Sequence, residues 1–174
     1  MEIRRNKIDI ANAKIVFKNF SGMEKRKDGR VVNDAGNRNF NVILDPEQSQ
    51  IWWNDQEVTN PDFGQELAAN GFRVSIKPGD EERPTEYRLP VAVSFKSAIK
   101  PKLYLVTARG KVELDEDSIN ELDFADIVKA DIVINSGRPY IDNRGEEKVK
   151  AWCNEAYFTI SESRFADEYS FEQQ

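Results

Sequence analysis

A chain of 174 residues with 25 Lys and Arg against 31 Asp and Glu, a single Cys and no His is closed to several chemistries from the start. Without histidine there is no Ser-His-Asp or Cys-His nucleophile, no imidazole base near neutral pH and no His-ligated zinc, and one thiol makes neither a Cys₄ zinc site nor an internal disulfide. The length suits one domain that buries about 70% of its unfolded surface. The start, Met1-Glu2-Ile3-Arg4-Arg5, turns polar at once, and no run approaches the ~18 apolar residues of a membrane span, so a soluble, cytosolic protein is expected.

The net charge of −6 conceals an asymmetry: residues 1–38 hold ten bases and five acids, residues 39–174 hold 15 bases and 26 acids. A local basic face on an acidic protein still binds phosphates. Glycine-rich phosphate loops of the GxxxxGK[ST] or GxGxxG type are absent, which removes nucleotide chemistry as the default.

Period-two alternation dominates, so the class is mainly β with short helical inserts. From Ala13 to Phe20 the pattern predicts a strand with Ala13, Ile15 and Phe17 inward and Lys14, Val16, Lys18 and Phe20 outward. A polar, basic loop follows over 21–37, with Asp28-Gly29 as a hairpin turn. Arg38 to Asp45 returns to strand, Phe40, Val42 and Leu44 inward and Asn39 and Asn41 outward. Asp45-Pro46 and Asn60-Pro61 each offer an N-cap followed by proline, and Asn70-Gly71 a stop, so two short helices are expected within 46–70, carrying Trp52-Trp53.

Strand signals resume at Phe72, Val74 and Ile76, cross a turn over 78–84 and strengthen at Tyr87, Leu89, Val91, Val93 and Phe95. Lys102 to Ala108 meets Val112-Glu113-Leu114 across Arg109-Gly110. Asp115-Glu116-Asp117-Ser118 then caps a helix whose core face is Ile119, Leu122, Phe124 and Ala125. Two last strands, 131–140 and 148–160, flank the turn Asn143-Arg144-Gly145. Five principal strands suit a small closed five-stranded β-barrel with short helical insertions, a β-sandwich being the competitor.

The exposed faces of the first and last strands carry the chemistry. Lys14, Lys18 and Phe20 lie on one; Lys148, Lys150 and Trp152 lie on the other, opposite Val149, Ala151 and Cys153. Lys102 with Tyr104, and Arg138 with Tyr140, repeat the pairing of a base and a ring two positions apart. Aromatic rings that stack on bases, interleaved with lysines that neutralise phosphates, are what a single-strand site requires. Ordinary strand surface also alternates in this way. The acids of 115–126 would serve a two-metal nuclease only if they converged, and a solvated helix face accounts for them without metal. Cys153 falls on an apolar face and reads as a buried thiol.

These residues carry a resemblance. Phe17-Lys18-Asn19-Phe20-Ser21-Gly22 and Gly36-Asn37-Arg38-Asn39-Phe40-Asn41-Val42-Ile43-Leu44-Asp45 resemble the opening of a family of bacteriophage and mobile-element single-stranded DNA-binding proteins, and the likeness continues in order to Ala166. It implies an OB-fold protein of phage replication and recombination in the bacterial host cytoplasm, without enzymatic activity or cofactor. Such proteins coat single strands and often end in an acidic, aromatic tail that docks partners. Here residues 1–160 are expected to form the binding domain and 161–174 the tail, although that tail is only mildly acidic and stops in glutamines. The residues assigned to DNA are Lys14, Lys18, Phe20, Arg38, Asn39, Lys102, Tyr104, Arg138, Tyr140, Lys148, Lys150 and Trp152. A metal-dependent nuclease and an OB-like virion or protein-interaction module remain as rivals, and whether the chain forms a homo-oligomer stays open.

Overall fold

The structure is a computed structural model that describes residues 6–20, 24–25, 31–33, 38–96 and 100–161, with backbone alone at 24–25 and 31–33. In chain order it contains β1 (Lys7–Ala13), β2 (Ile15–Asn19), β3 (Glu24–Lys25), β4 (Val31–Asn33), β5 (Arg38–Ile43), β6 (Gln50–Trp53), β7 (Gln56–Val58) and helix α1 (Phe63–Ala69). There follow β8 (Ser75–Lys77), β9 (Glu86–Val93), β10 (Lys102–Thr107), β11 (Gly110–Leu114), a 3₁₀ turn (Ile119–Asp123), β12 (Ile127–Ser136), β13 (Tyr140–Ile141), β14 (Glu147–Lys148) and β15 (Ala151–Ile160). The class is mainly β, as the alternation predicts.

The main sheet has 11 strands in the order β2-β5-β9-β15-β12-β1-β6-β7, with β10 also on β15, β11 on β10 and β8 on β9. Strand β15 organises it. Antiparallel to β12 along its length, it runs parallel to β9 at Ala151–Trp152 and parallel to β10 from Glu155 to Thr159. The hydrogen-bonded order is open from β2 to β7: beyond the five principal strands expected, β6, β7, β8, β10 and β11 also join the sheet, and the first strand is divided. Only Lys14 separates β1 from β2. Asn12, at φ 57°, makes the bend, its N–H bonded to Asp131 Oδ1 at 2.9 Å.

Inward positions fill one core. Tyr87, Leu89, Val91, Val93 and Phe95 are all buried, and so are Phe40 and Val42 opposite them. Phe20, Phe40 and Phe158 form an aromatic cluster with centroids 5.4 to 6.0 Å apart. Phe20 thus faces inward and Phe17 outward, the reverse of the expectation. The cause is an extra residue in β2: the register to β5 shifts between Val16 and Asn19, with Phe17 at φ 53°.

The first expected helix in 46–70 is instead the hairpin β6–β7. Asn54 (φ 52°) and Asp55 (φ 68°) supply the two left-handed residues of a two-residue turn, so Trp52 and Trp53 sit on a strand. Trp53 packs edge-on against Phe63 at 5.5 Å, at the start of the helix that does form. Residues 115–125 shorten to a 3₁₀ turn that buries Ile119 and Leu122 and leaves Phe124 90% exposed rather than in the core. Ile76 of β8 is half exposed. The turn at Asp28-Gly29 lies outside the described residues, between the paired β3 and β4. Among the described residues no helix is long and apolar enough to cross a membrane.

Candidate nucleic-acid interface

Because Leu89, Val91 and Val93 point inward, β9 turns Pro90 and Ala92 outward. The register sets Asn41 beside Pro90, and Asn39 beside Ala92, whose other neighbour is Trp152 of β15. Small side chains in the middle of this face and tall ones at its β15 side leave a groove of about 550 Å³. Asn39, Pro90 and Ala92 line it, with Tyr140, Lys150 and Trp152 along one side. Four bases line it as well, Arg38, Arg73, Lys96 and Lys150, and among its lining residues there is no Asp or Glu. In a chain of net charge −6 that segregation concentrates positive potential where the surface is concave.

Local geometry fixes the tall side. Lys150 Nζ lies 4.6 Å from the Trp152 ring centroid, a cation–π contact that holds a half-buried indole against solvent motion. Tyr140, 40% exposed, pairs across the β13–β14 ladder with Lys148. The turn beneath them is closed by Asp142, whose Oδ1 accepts the N–H groups of Arg144 and Glu146 at 2.9 Å. The bond from Glu146 is the chief reason that the Asp142 carboxyl titrates below the usual range. Lys148 pairs with Glu146 at 3.3 Å and lines a second trough, of about 810 Å³, which shares Arg73, Pro90 and Tyr140 with the first.

The twelve residues named from sequence therefore separate. Arg38, Asn39, Tyr140, Lys150 and Trp152 meet at one groove, and Lys148 adjoins it. Arg38 is half structural: its side chain is 10% exposed, its guanidinium lies over Phe95 at 5.4 Å and Nη1 is 3.9 Å from Glu116. Phe20 is in the core, so its ring is not offered to a base. Lys18 Nζ donates to the carbonyl oxygens of Leu122 (2.7 Å) and Ala125, which ties β2 to the 3₁₀ turn. Tyr104 stacks on Tyr157 at 4.9 Å beneath Lys111, away from the groove. Lys14, Lys102 and Arg138 are exposed but do not line it.

Arg73 and Lys96 are not singled out by the sequence, because neither stands two positions from an aromatic ring. The acids have local uses: Asp115 Oδ1 accepts from Ser118 Oγ and from the N–H groups of Asp117 and Ser118, and Asp123 Oδ1 accepts from Phe20 N–H at 2.7 Å. No group of three or more acids or thiols among the described residues is arranged to hold a metal ion. Cys153 is buried, and burial pushes its thiol up to about 12.

The family model described as "Putative phage ssDNA-binding domain" matches residues 1–171. The chain belongs to that family. The resemblance seen in residues 17–45 is thereby confirmed over nearly the whole chain. Among solved structures it is similar to the single-stranded DNA-binding protein of bacteriophage Enc34 in complex with ssDNA, at 12% identity and TM-score 0.46, over 91% of this chain and 89% of that one. A C-terminal truncation of the same phage protein is similar at 12% identity and TM-score 0.45, over 90% and 87%. No curated protein sequence is significantly similar.

Proposed function

We propose that this phage ssDNA-binding domain coats single strands without reading their sequence and without catalysis, and that the DNA lies in the groove over β5, β9 and β15. The observation that carries the reading is the acid-free basic groove walled by Trp152 and Tyr140. Bases stack on any aromatic face, so rings at this position favour single strands over duplex and tolerate any base. Lys150, Lys96 and Arg73 meet phosphates, Asn39 hydrogen-bonds to base or sugar, and Arg38 shapes the groove's end. Lys148 and Arg138 extend the basic rim; Lys14 and Lys102 act only through long-range charge. A role in phage replication or recombination within the bacterial host follows from such coating.

The finer reading of the fold is an OB-like barrel. The bent run β1–Lys14–β2 stands at two places in the ladder order, beside β12 and beside β5, so β1/β2, β5, β9, β15 and β12 make a five-membered circuit. Residues 161–174, with Glu162, Asp167, Glu168 and Glu172 among Phe165, Tyr169 and Phe171, act as a DNA-like segment that competes for the basic groove or docks a replication or recombination protein.

Gel shift and fluorescence titration with oligo-dT, with duplex as competitor, test this. Preference for the single strand is expected, with a log–log salt slope of about −2 if Lys150, Lys96 and Arg73 each meet one phosphate. Duplex preference, or no binding at low salt, refutes the reading. Degradation of the DNA on adding Mg²⁺ or Mn²⁺ favours the nuclease instead.

A further inference from the structure

Phe17 departs furthest from its own sequence pattern. Four non-glycine residues among those described have φ in the left-handed region: Asn12, Asn54, Asp55 and Phe17. Asn and Asp tolerate that conformation through local hydrogen bonds; a bulky aromatic gains nothing from it and is strained. A regular strand would bury the ring. Here the bulge between Val16 and Asn19 turns it out, 67% exposed. Strain that exposes an apolar ring where a relaxed strand would bury it is characteristic of a functional position.

The ring is also held. The Arg88 guanidinium carbon lies 5.0 Å from its centroid, and Arg88 is fixed in turn by Glu86, Nη2 to Oε2 at 2.7 Å. The guanidinium covers part of the ring and leaves the rest open. The location is equally specific. Val16 pairs with Asn41 and Asn41 with Pro90, a floor residue of the groove, so Phe17 stands at the β2 end of the row that Trp152 and Lys150 bound at β15. Three strand spacings separate β2 from β15, about 14 Å.

The geometry points to Phe17 as a second base-stacking platform for single-stranded DNA, across the sheet from Trp152, with Arg88 fixing the ring. This rests on the groove reading above and adds a direction to it. The strand crosses β15, β9, β5 and β2 at right angles to them, stacking one base at each end of the row, with its backbone over the groove between, whose lining supplies the bases.

Anisotropy titration of labelled oligo-dT with the full chain and with F17A, F17W and W152A tests the inference. F17A is expected to bind roughly five- to 150-fold more weakly, the range for removal of one base stack. F17W keeps the affinity, and the melting temperature of F17A does not fall, since the ring it removes is exposed and strained. Should F17A fail to fold, F17L keeps the bulk and lacks the aromatic face, and its weaker binding answers the same question. A folded F17A or F17L that binds as tightly as the parent overturns the inference, including the case in which it self-associates less and the ring is a contact between copies. If W152A weakens binding and F17A does not, only the second platform falls; if the parent chain does not bind oligo-dT, the groove reading falls with it.

Discussion

A β-carbon built on Gly137 would lie 2.7 Å from Trp152 Nε1, closer than any relaxed contact. The indole therefore occupies space that a glycine leaves open, and the N–H of the same glycine donates to Lys150 O at 2.8 Å. Gly137→Ala is expected to displace the ring while leaving the core intact. Weaker oligo-dT binding, a shifted tryptophan emission and a melting temperature within a few degrees of the parent are the result to look for. Unchanged binding means that the ring position does not matter.

Phe20 gives the opposite test. Its spacing in the sequence marks it as a stacking residue, yet it is fully buried against Phe40 and Phe158. Phe20→Ala should cost about 3–5 kcal/mol of stability, the usual cost of such a cavity, measured by urea unfolding. Binding at a temperature where the variant is still folded should stay near that of the parent.

The parity error at Phe17 and Phe20 explains what the sequence made legible. Strands whose alternation is unbroken, such as Tyr87 to Phe95 and Val149 to Cys153, are correct to the residue, because burial on one face enforces period two. Where one left-handed residue enters, as at Phe17, every later side chain changes face, and nothing in the identity of a phenylalanine announces it. Trp52-Trp53 was misplaced for a related reason: Asp45-Pro46 is a good helix cap in isolation, whereas Asn54-Asp55, the real turn signal, lies further on. Lys150 and Trp152 were readable as a pair two apart on one strand. Lys96 joins them through the parallel pairing of β9 with β15 and Arg73 through the bridge of Phe72 to Val149, long-range contacts that no local pattern encodes.

Charge in the groove should be measurable by salt. Lys150→Glu with Lys96→Glu should lower affinity most at low ionic strength and flatten the log–log salt slope by about 0.7 for each phosphate that is no longer neutralised. The same reversals at Lys14 and Lys102, which lie off the groove, should change the slope little. Equal effects at both pairs would mean that the whole surface attracts DNA without a defined site.

Cys153 ties stability to alkaline pH. In the folded chain burial raises its thiol from 9.0 to about 12, so between those values the unfolded chain has lost a proton that the folded one keeps. This contribution is complete below pH 9 and is lost as pH rises towards 12. Cys153→Ala should weaken the fall in unfolding free energy over that window. In the parent, a thiol reagent at about pH 8, just below the ordinary thiol range, should modify Cys153 no faster than the chain unfolds; rapid modification of the folded protein would contradict its burial.

The tail can be tested by removal. Deleting 162–174 takes away four acids, one base and three aromatics and leaves β15 intact to Ile160. Tighter binding of single strands, most visibly at low salt where screening is weakest, is expected. Unchanged affinity in a folded protein removes competition for the groove, and unfolding makes the segment structural.

The most direct test of the groove is the affinity of Lys150→Ala/Trp152→Ala for oligo-dT, with folding verified by its melting temperature. Removing a cation and a stacking ring that touch each other at 4.6 Å should weaken binding by more than about 1 kcal/mol while the protein stays folded. A folded double variant that binds single-stranded DNA as the parent does would place the DNA elsewhere on the molecule.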